Sequence, residues 1–211
     1  MSKKLSTFCL AKFSYSAAYD LAQEKLLKSG NSPTNCPGII EGIMDAELSG
    51  IKSHGFHYLP IYCNHLKIGK VKGSAEPTIE KISNSSLKIN ADNGFAHTAI
   101  NLGFVSLFNM CSEQSIACMS IYHSYNCGVL GFHTKRIAEK GFIGLGFTNA
   151  PASIAPLGGS KAVVGTNPFS IAVPLNGKAE IIIDQSASVV AKSEISVRAK
   201  TGESIPEGWA Y

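Results

Sequence analysis

The sequence predicts an α/β chain, with a helical N-terminal section over residues 1–75 followed by a mixed sheet with flanking helices over residues 76–211. Three observations carry this. Apolar residues recur at helical spacing through the first third, they alternate in short runs from Thr78 onward, and the middle of the chain reads strand, helix, strand in succession. A chain of 211 residues that is 45% apolar and 16% charged can bury a substantial core.

Ala18, Leu21, Ala22 and Leu26 repeat at helical spacing before Gly30, and Ile40, Ile43, Met44 and Leu48 do so after the turn-rich NSPTNCPG, which gives two amphipathic helices. After the polar KSHG, a third short stripe of Leu59, Tyr62, Cys63 and Leu66 closes at Gly69, so KSHG falls at a junction between helices. Ile79, Leu87 and Ile89 suggest strands within residues 78–91, Asn93-Gly94 supplies turn chemistry, and Ile100, Gly103, Phe104, Leu107, Phe108 and Cys111 define a longer helix. IACMSIY, VLGFHTKRIAEKG and FIGLGFT then read as strand, helix and strand. Later strands are expected at residues 170–173 and 179–183, and a last helix over residues 188–199.

The net charge of +4 arises from 19 basic and 15 acidic residues scattered along the chain, with no basic stripe interleaved with aromatics. Nucleic acid is therefore not an expected partner, whereas an anionic small molecule is compatible. Apolar runs such as residues 181–183 are far short of the ~20 residues of a membrane span. The six cysteines, at 9, 36, 63, 111, 118 and 127, form no C-x-x-C pair and read as reduced thiols. The start MSKKLSTFCLAKF lacks the sustained apolar core of a leader, so the expected location is cytoplasmic.

Ser53 and His54 precede Gly55 in an expected loop, where an imidazole can exchange protons near neutral pH; a Ser N-cap beside an ordinary histidine is the alternative. His54, His57 and His65 lack the spacing and the completing cysteine or carboxylate of a zinc site, so no metal is expected. Cys127 in SYNCG, near His123 and His133 in sequence, reads as a nucleophile or as a buried thiol. The stretches VLGFHTKRIAEKG, FIGLGFTNAP and APLGGSKAVVGTNPF contain neither G-x-G-x-x-G between strand and helix nor a P-loop, which excludes an ordinary Rossmann or Walker site. Their backbone N–H groups near Gly128, Gly158, Gly159 and Gly165, with polar Asn126, Thr148, Asn149, Thr166 and Asn167 alongside, suit phosphate or amide groups of a ligand or else form tight turns. Asp184 follows AEIII at the end of a strand, a frequent ligand position, or caps the next helix; Glu194 on that helix is a solvated position unless the fold brings it to His54.

The blocks SHGFHYLPIY, SYNCGVLGFHTKRIAEKGFIGLGFTNAPASIAPLGG, VVGTNPFSIAVP, IIIDQSASVVAKSE and IPEGWA, in this order over nearly the whole chain, resemble the malate/L-lactate dehydrogenase family, which lacks a Rossmann fold. Within that family SYNCGVLG and NAPASIAP most resemble the Δ1-piperideine-2-carboxylate/Δ1-pyrroline-2-carboxylate reductases, which reduce cyclic imino acids with NADPH. The resemblance implies the family's fold, an NADPH or NADH cofactor, a small imino or keto acid substrate and a homodimer. It assigns His54 as proton donor, Ser53 as the residue that relays or orients the proton, and Glu194 as their acidic partner. Thr166 falls on a substrate contact. Asn126, Cys127, Gly128, Val129 and Leu130, together with Asp184, Gln185 and Ser186, fall along the dinucleotide.

By this resemblance hydride reaches the C=N carbon while an imidazolium delivers a proton to the ring nitrogen, and a carboxylate near His54 raises its pKa. Two departures bear on it. Tyr58, beside His57, stands where relatives commonly carry an arginine suited to a substrate carboxylate, and a neutral phenol does not replace a bidentate guanidinium. Family members also continue for about a hundred residues beyond the position of IPEGWA, including a glycine-rich cofactor segment, so the chain is expected to be truncated at its C-terminus. The leading expectation is an NAD(P)H-dependent reductase giving pipecolate or proline. The alternatives are a malate/lactate-type 2-hydroxy-acid dehydrogenase, an inactive truncated remnant and, weakest, a metal-dependent hydrolase using the histidines.

Overall fold

The structure, a computed structural model, describes residues 12–190 and 192–209; Cys9 and the first eleven residues of the stretch read for a leader lie outside the described residues. Helix α1 (Tyr15–Lys28) starts where the Ser14 side chain accepts the Ala17 N–H at 3.2 Å, and it buries Ala18, Ala22 and Leu26. Helix α2 (Cys36–Leu48) has a proline in its first turn, where the missing N–H costs nothing, and buries Ile39, Ile40, Ile43 and Met44. Two single 3-10 turns, Lys52–His54 and Phe56–Tyr58, lead into helix α3 (Leu59–Lys67), which buries Leu59, Tyr62 and Leu66. KSHG thus lies at the expected helix junction.

Among the described residues the strand-forming part, expected as a mixed sheet with flanking helices, is divided between two three-stranded sheets. In the first, β1 (Thr78–Ser83) runs antiparallel to β2 (Ser86–Asn90), and β2 runs parallel to β3 (Cys118–Tyr122). A parallel pair needs a long crossover, here helix α4 (Ala96–Gln114), entered through the left-handed residues Asp92 and Asn93. The second sheet is antiparallel throughout: β4 (Gly144–Phe147), β5 (Phe169–Leu175) and β6 (Lys178–Gln185). Asn176 and Gly177, both at positive φ, close the tight β5–β6 hairpin.

Helix α5 (Leu130–Ala138) covers one face of this second sheet, held by a buried 2.7 Å hydrogen bond between Thr134 and Ser170. The helix lies so close that a Cβ at Gly144 would sit 2.7 Å from the Thr134 carbonyl oxygen. The opposite face leaves Leu145, Phe147, Ile181 and Ile183 exposed. The last helix, α6 (Lys192–Thr201), begins four residues later than expected; Ser186 and Ser188 hydrogen-bond each other at 2.9 Å, a local pairing that competes with helix formation.

The helical section shares its core with the strand-forming part, because Phe95 and Tyr125 pack against the cluster of α1, α2 and α3. A second cluster joins Leu87, the buried face of α4 and Ile137 of α5. Lys135 of α5 reaches Asp45 of α2 at 2.7 Å, and Arg136 donates to Asn101 of α4 while stacking over Phe104 and Phe132. Among the described residues no helix is long and apolar enough to cross a membrane, and the five described cysteines are free.

Candidate active site

The last turn of helix α2 carries Glu47, whose carboxylate accepts the Phe56 N–H at 3.0 Å and so folds the chain back over the Ser53–His54 turn. A Cβ on Gly55 would meet that carboxylate, so any other residue there would require Glu47 to shift. Ser53 Oγ lies 3.0 Å from His54 Nδ1, and the His54 ring stacks on Tyr58, with centroids 5.4 Å apart and planes 5° from parallel. With Nδ1 engaged by the hydroxyl, Nε2 is the nitrogen left for exchange with a ligand.

The SYNCG segment forms a turn fastened from several sides. Asn126 Oδ1 accepts both the Tyr62 hydroxyl at 2.6 Å and the Gly128 N–H at 2.7 Å. The Cys127 carbonyl accepts His133 Nε2–H at 2.8 Å, and Tyr125 hydrogen-bonds His65. Gly128 turns the chain at φ 69°, and the backbone then enters α5 through Val129 and Leu130. The Gly128 N–H, a candidate for a ligand phosphate by sequence, is therefore directed onto Asn126. Burial pushes the Cys127 thiol up to about 11, which favours the buried-thiol reading over the nucleophile.

Asp184, at the end of β6, accepts the Gly131 N–H at 2.6 Å. It caps α5, not the helix that comes after it in the chain, and its carboxylate occupies the positive end of α5. Burial pushes the Asp184 carboxyl up, opposed by the Gly131 N–H and by the charge of His54. His54 is affected in turn: burial pushes its pKa below the ordinary imidazole value, and the Asp184 carboxylate acts against that shift. The expectation of a raised His54 pKa is thus corrected, because desolvation outweighs the carboxylate.

Glu194 does not supply that carboxylate in this structure. It pairs with Arg198 one turn along α6, at 3.5 Å, and the acidic group acting on His54 is Asp184. Gln185 pairs with Phe169 across β5 and β6, the Ser186 hydroxyl faces Ser188, and the Thr166 carbonyl accepts the Ala187 N–H at 2.8 Å, which places Thr166 next to the Asp184–Ser186 strand end. Among the described residues no group of three or more side chains is arranged to hold a metal ion. Tyr62 and Glu47 carry no functional signal in the sequence, and His133 enters there only as a sequence neighbour of Cys127. Tyr62 reads there as part of an apolar stripe, and nothing in residue spacing signals where a phenol or carboxylate across a helix junction finds its partner.

The malate/L-lactate dehydrogenase family profile matches residues 13–211. The chain is 36% identical over 168 residues to the (2R)-3-sulfolactate dehydrogenase (NADP(+)) of Chromohalobacter salexigens, covering 80% of this chain and 50% of that protein. It is 31% identical over 210 residues to Delta(1)-pyrroline-2-carboxylate reductase 1 of Burkholderia ambifaria, covering 100% of this chain and 61% of that protein. The crystal structure of Δ1-piperideine-2-carboxylate reductase from Pseudomonas syringae pv. tomato superposes with a TM-score of 0.88 at 27% identity, covering 93% of this chain and 59% of the other. The chain thus spans about half to three fifths of the length of these relatives.

Proposed function

The chain belongs to the malate/L-lactate dehydrogenase family, and from that membership we propose that it serves an NAD(P)H-dependent reductase acting on the C=N bond of a small cyclic imino acid, with His54 as proton donor. The observation that carries the reading is a convergence: the Asp184–Gly131 hydrogen bond joins the 126–131 segment to the end of β6, and the Asp184 charge is felt at His54. The 126–130 segment and the Asp184–Ser186 triplet, assigned to one dinucleotide by resemblance, are thereby tied together at the start of α5, within electrostatic reach of the candidate acid.

The fit proposed for a nicotinamide cofactor rests on that junction; the tight turn at Gly128, where a Cβ would come within 3.1 Å of the His97 ring, seats the segment against α4. Bound there, the reduced nicotinamide would supply the hydride. Residues Asn126, Cys127, Gly128, Val129, Leu130, Asp184, Gln185 and Ser186 are proposed to line it, and NADPH is the proposed form. His54 gives its Nε2 proton to the substrate atom that gains electron density, Ser53 fixes the ring through Nδ1, and Asp184 stabilises the imidazolium. Tyr58, stacked on His54, and Thr166 are the proposed substrate contacts, and a second copy of the chain is the proposed partner.

The (2R)-3-sulfolactate dehydrogenase likeness supports a second reading, a 2-hydroxy-acid dehydrogenase in which His54 protonates a carbonyl oxygen instead. Measuring NADPH oxidation side by side with Δ1-piperideine-2-carboxylate, Δ1-pyrroline-2-carboxylate, oxaloacetate and 3-sulfopyruvate separates the two. The proposal expects the imino acids to give the larger kcat/KM. A larger value for either keto acid rejects it in favour of the second reading.

A further inference from the structure

We propose that Tyr62 is a positioning residue for the cofactor: its hydroxyl, by donating to Asn126 Oδ1, fixes the shape of the 126–130 turn on which the dinucleotide lies. The inference rests on the proposed dinucleotide site and adds to it a residue that touches neither reactant. Asn126 Oδ1 takes two donors, Tyr62 Oη–H at 2.6 Å and its own turn's Gly128 N–H at 2.7 Å. An amide oxygen shared in this way has its side-chain torsions set by the buried phenol, and the Gly128 N–H in turn sets the positive-φ backbone of the turn.

The phenol is itself immobile. Tyr62 is 1% exposed and held edge-on by Tyr58, Phe95 and Tyr125, each with its ring centroid 5.0 to 6.0 Å away. Burial raises its pKa well above the ordinary phenol value, so the hydroxyl remains a donor at any pH the protein meets. Tyr62 also sits on α3, one turn beyond Tyr58, which stacks on His54. The support of the proposed acid thus caps α3 and the support of the proposed cofactor turn lies one turn into it, which links their positions.

Tyr62→Phe keeps the ring and its packing and removes only the donor, so the ring contacts that hold the fold remain. The test titrates NADPH into the 211-residue chain, monitored by its fluorescence, for the unsubstituted chain, Tyr62→Phe, Asn126→Ala and the double variant, with thermal unfolding recorded for each. The expected result is a Kd for NADPH about tenfold weaker in Tyr62→Phe, equal to the loss of one buried hydrogen bond of about 1.4 kcal/mol. The double variant should bind no more weakly than Asn126→Ala, because the phenol acts only through that amide. In turnover, KM for NADPH should rise with kcat nearly unchanged, a split that general destabilisation does not produce. A Tyr62→Phe Kd within twofold of the unsubstituted chain overturns the inference alone, as does full additivity of the two substitutions. Absence of NADPH binding by the unsubstituted chain overturns the dinucleotide reading and the inference with it.

Discussion

His54 sits under two opposing influences, and their balance sets how the proposed acid behaves. Burial favours the neutral ring, and Asp184, whose carboxylate the Gly131 N–H helps to keep ionised, favours the imidazolium. Since the net shift is downward, the protonated fraction falls away below the ordinary imidazole range, and reductive kcat/KM should decline as pH rises through that lowered value. Asp184→Asn keeps the acceptor for Gly131 and removes the charge, so it should move the declining limb to still lower pH. A pH profile of the variant that coincides with the unsubstituted chain would remove Asp184 from its assigned role. Ser53, His54 and Asp184 were all legible as candidates from their types and settings. That Asp184 rather than Glu194 provides the charge was not, because the choice depends on whether β6 or α6 lies beside the Ser53–His54 turn, and sequence distance carries no such information.

Helix α5 is the part that makes the arrangement rigid. It enters from the 126–130 turn, receives Asp184 at its N-terminus, and is fastened to the second sheet by Thr134 and Ser170 and to α2 by Lys135 and Asp45. Its close seat requires glycine on β4. Gly144→Ala would drive a methyl to 2.7 Å from the Thr134 carbonyl oxygen, and it should destabilise the chain by about 1–3 kcal/mol, the range for overpacking a tight contact. Chemical denaturation measures this directly; an unchanged midpoint would mean that α5 is free to shift. The helices were readable because Ile40, Ile43 and Met44, or Phe104 and Leu107, repeat on one face and are buried. The division into two sheets was not readable, since alternation within β3 or β4 states that each is a strand and leaves its neighbour undetermined.

Stability of the folded chain should depend on two buried histidines at the junction of α2, α4 and α5. His97 and His133 lie 5.3 Å apart, each with Nδ1 buried and lacking a hydrogen bond. Burial and the other histidine hold His97 well below the ordinary value, and burial takes His133 down to about 4. A depressed histidine binds protons in the unfolded chain first, so stability is complete above about pH 6.5 and is lost as pH falls toward 4. His133 alone should remove about 2 kcal/mol between pH 7 and pH 5. His133→Gln, which retains a donor for the Cys127 carbonyl, should flatten that dependence in thermal unfolding, and an equally steep loss would place the acid sensitivity elsewhere. The order of blocks along the sequence was enough to anticipate the family, whereas this buried pair is created by the packing of three helices and has no local signature. The most direct test of the central claim compares NADPH oxidation by the unsubstituted chain and by His54→Asn at saturating Δ1-piperideine-2-carboxylate. Loss of a positioned proton donor should lower kcat by about 10² or more while the Kd for NADPH stays the same; a variant that turns over as fast as the unsubstituted chain would contradict the assignment of His54 as the acid.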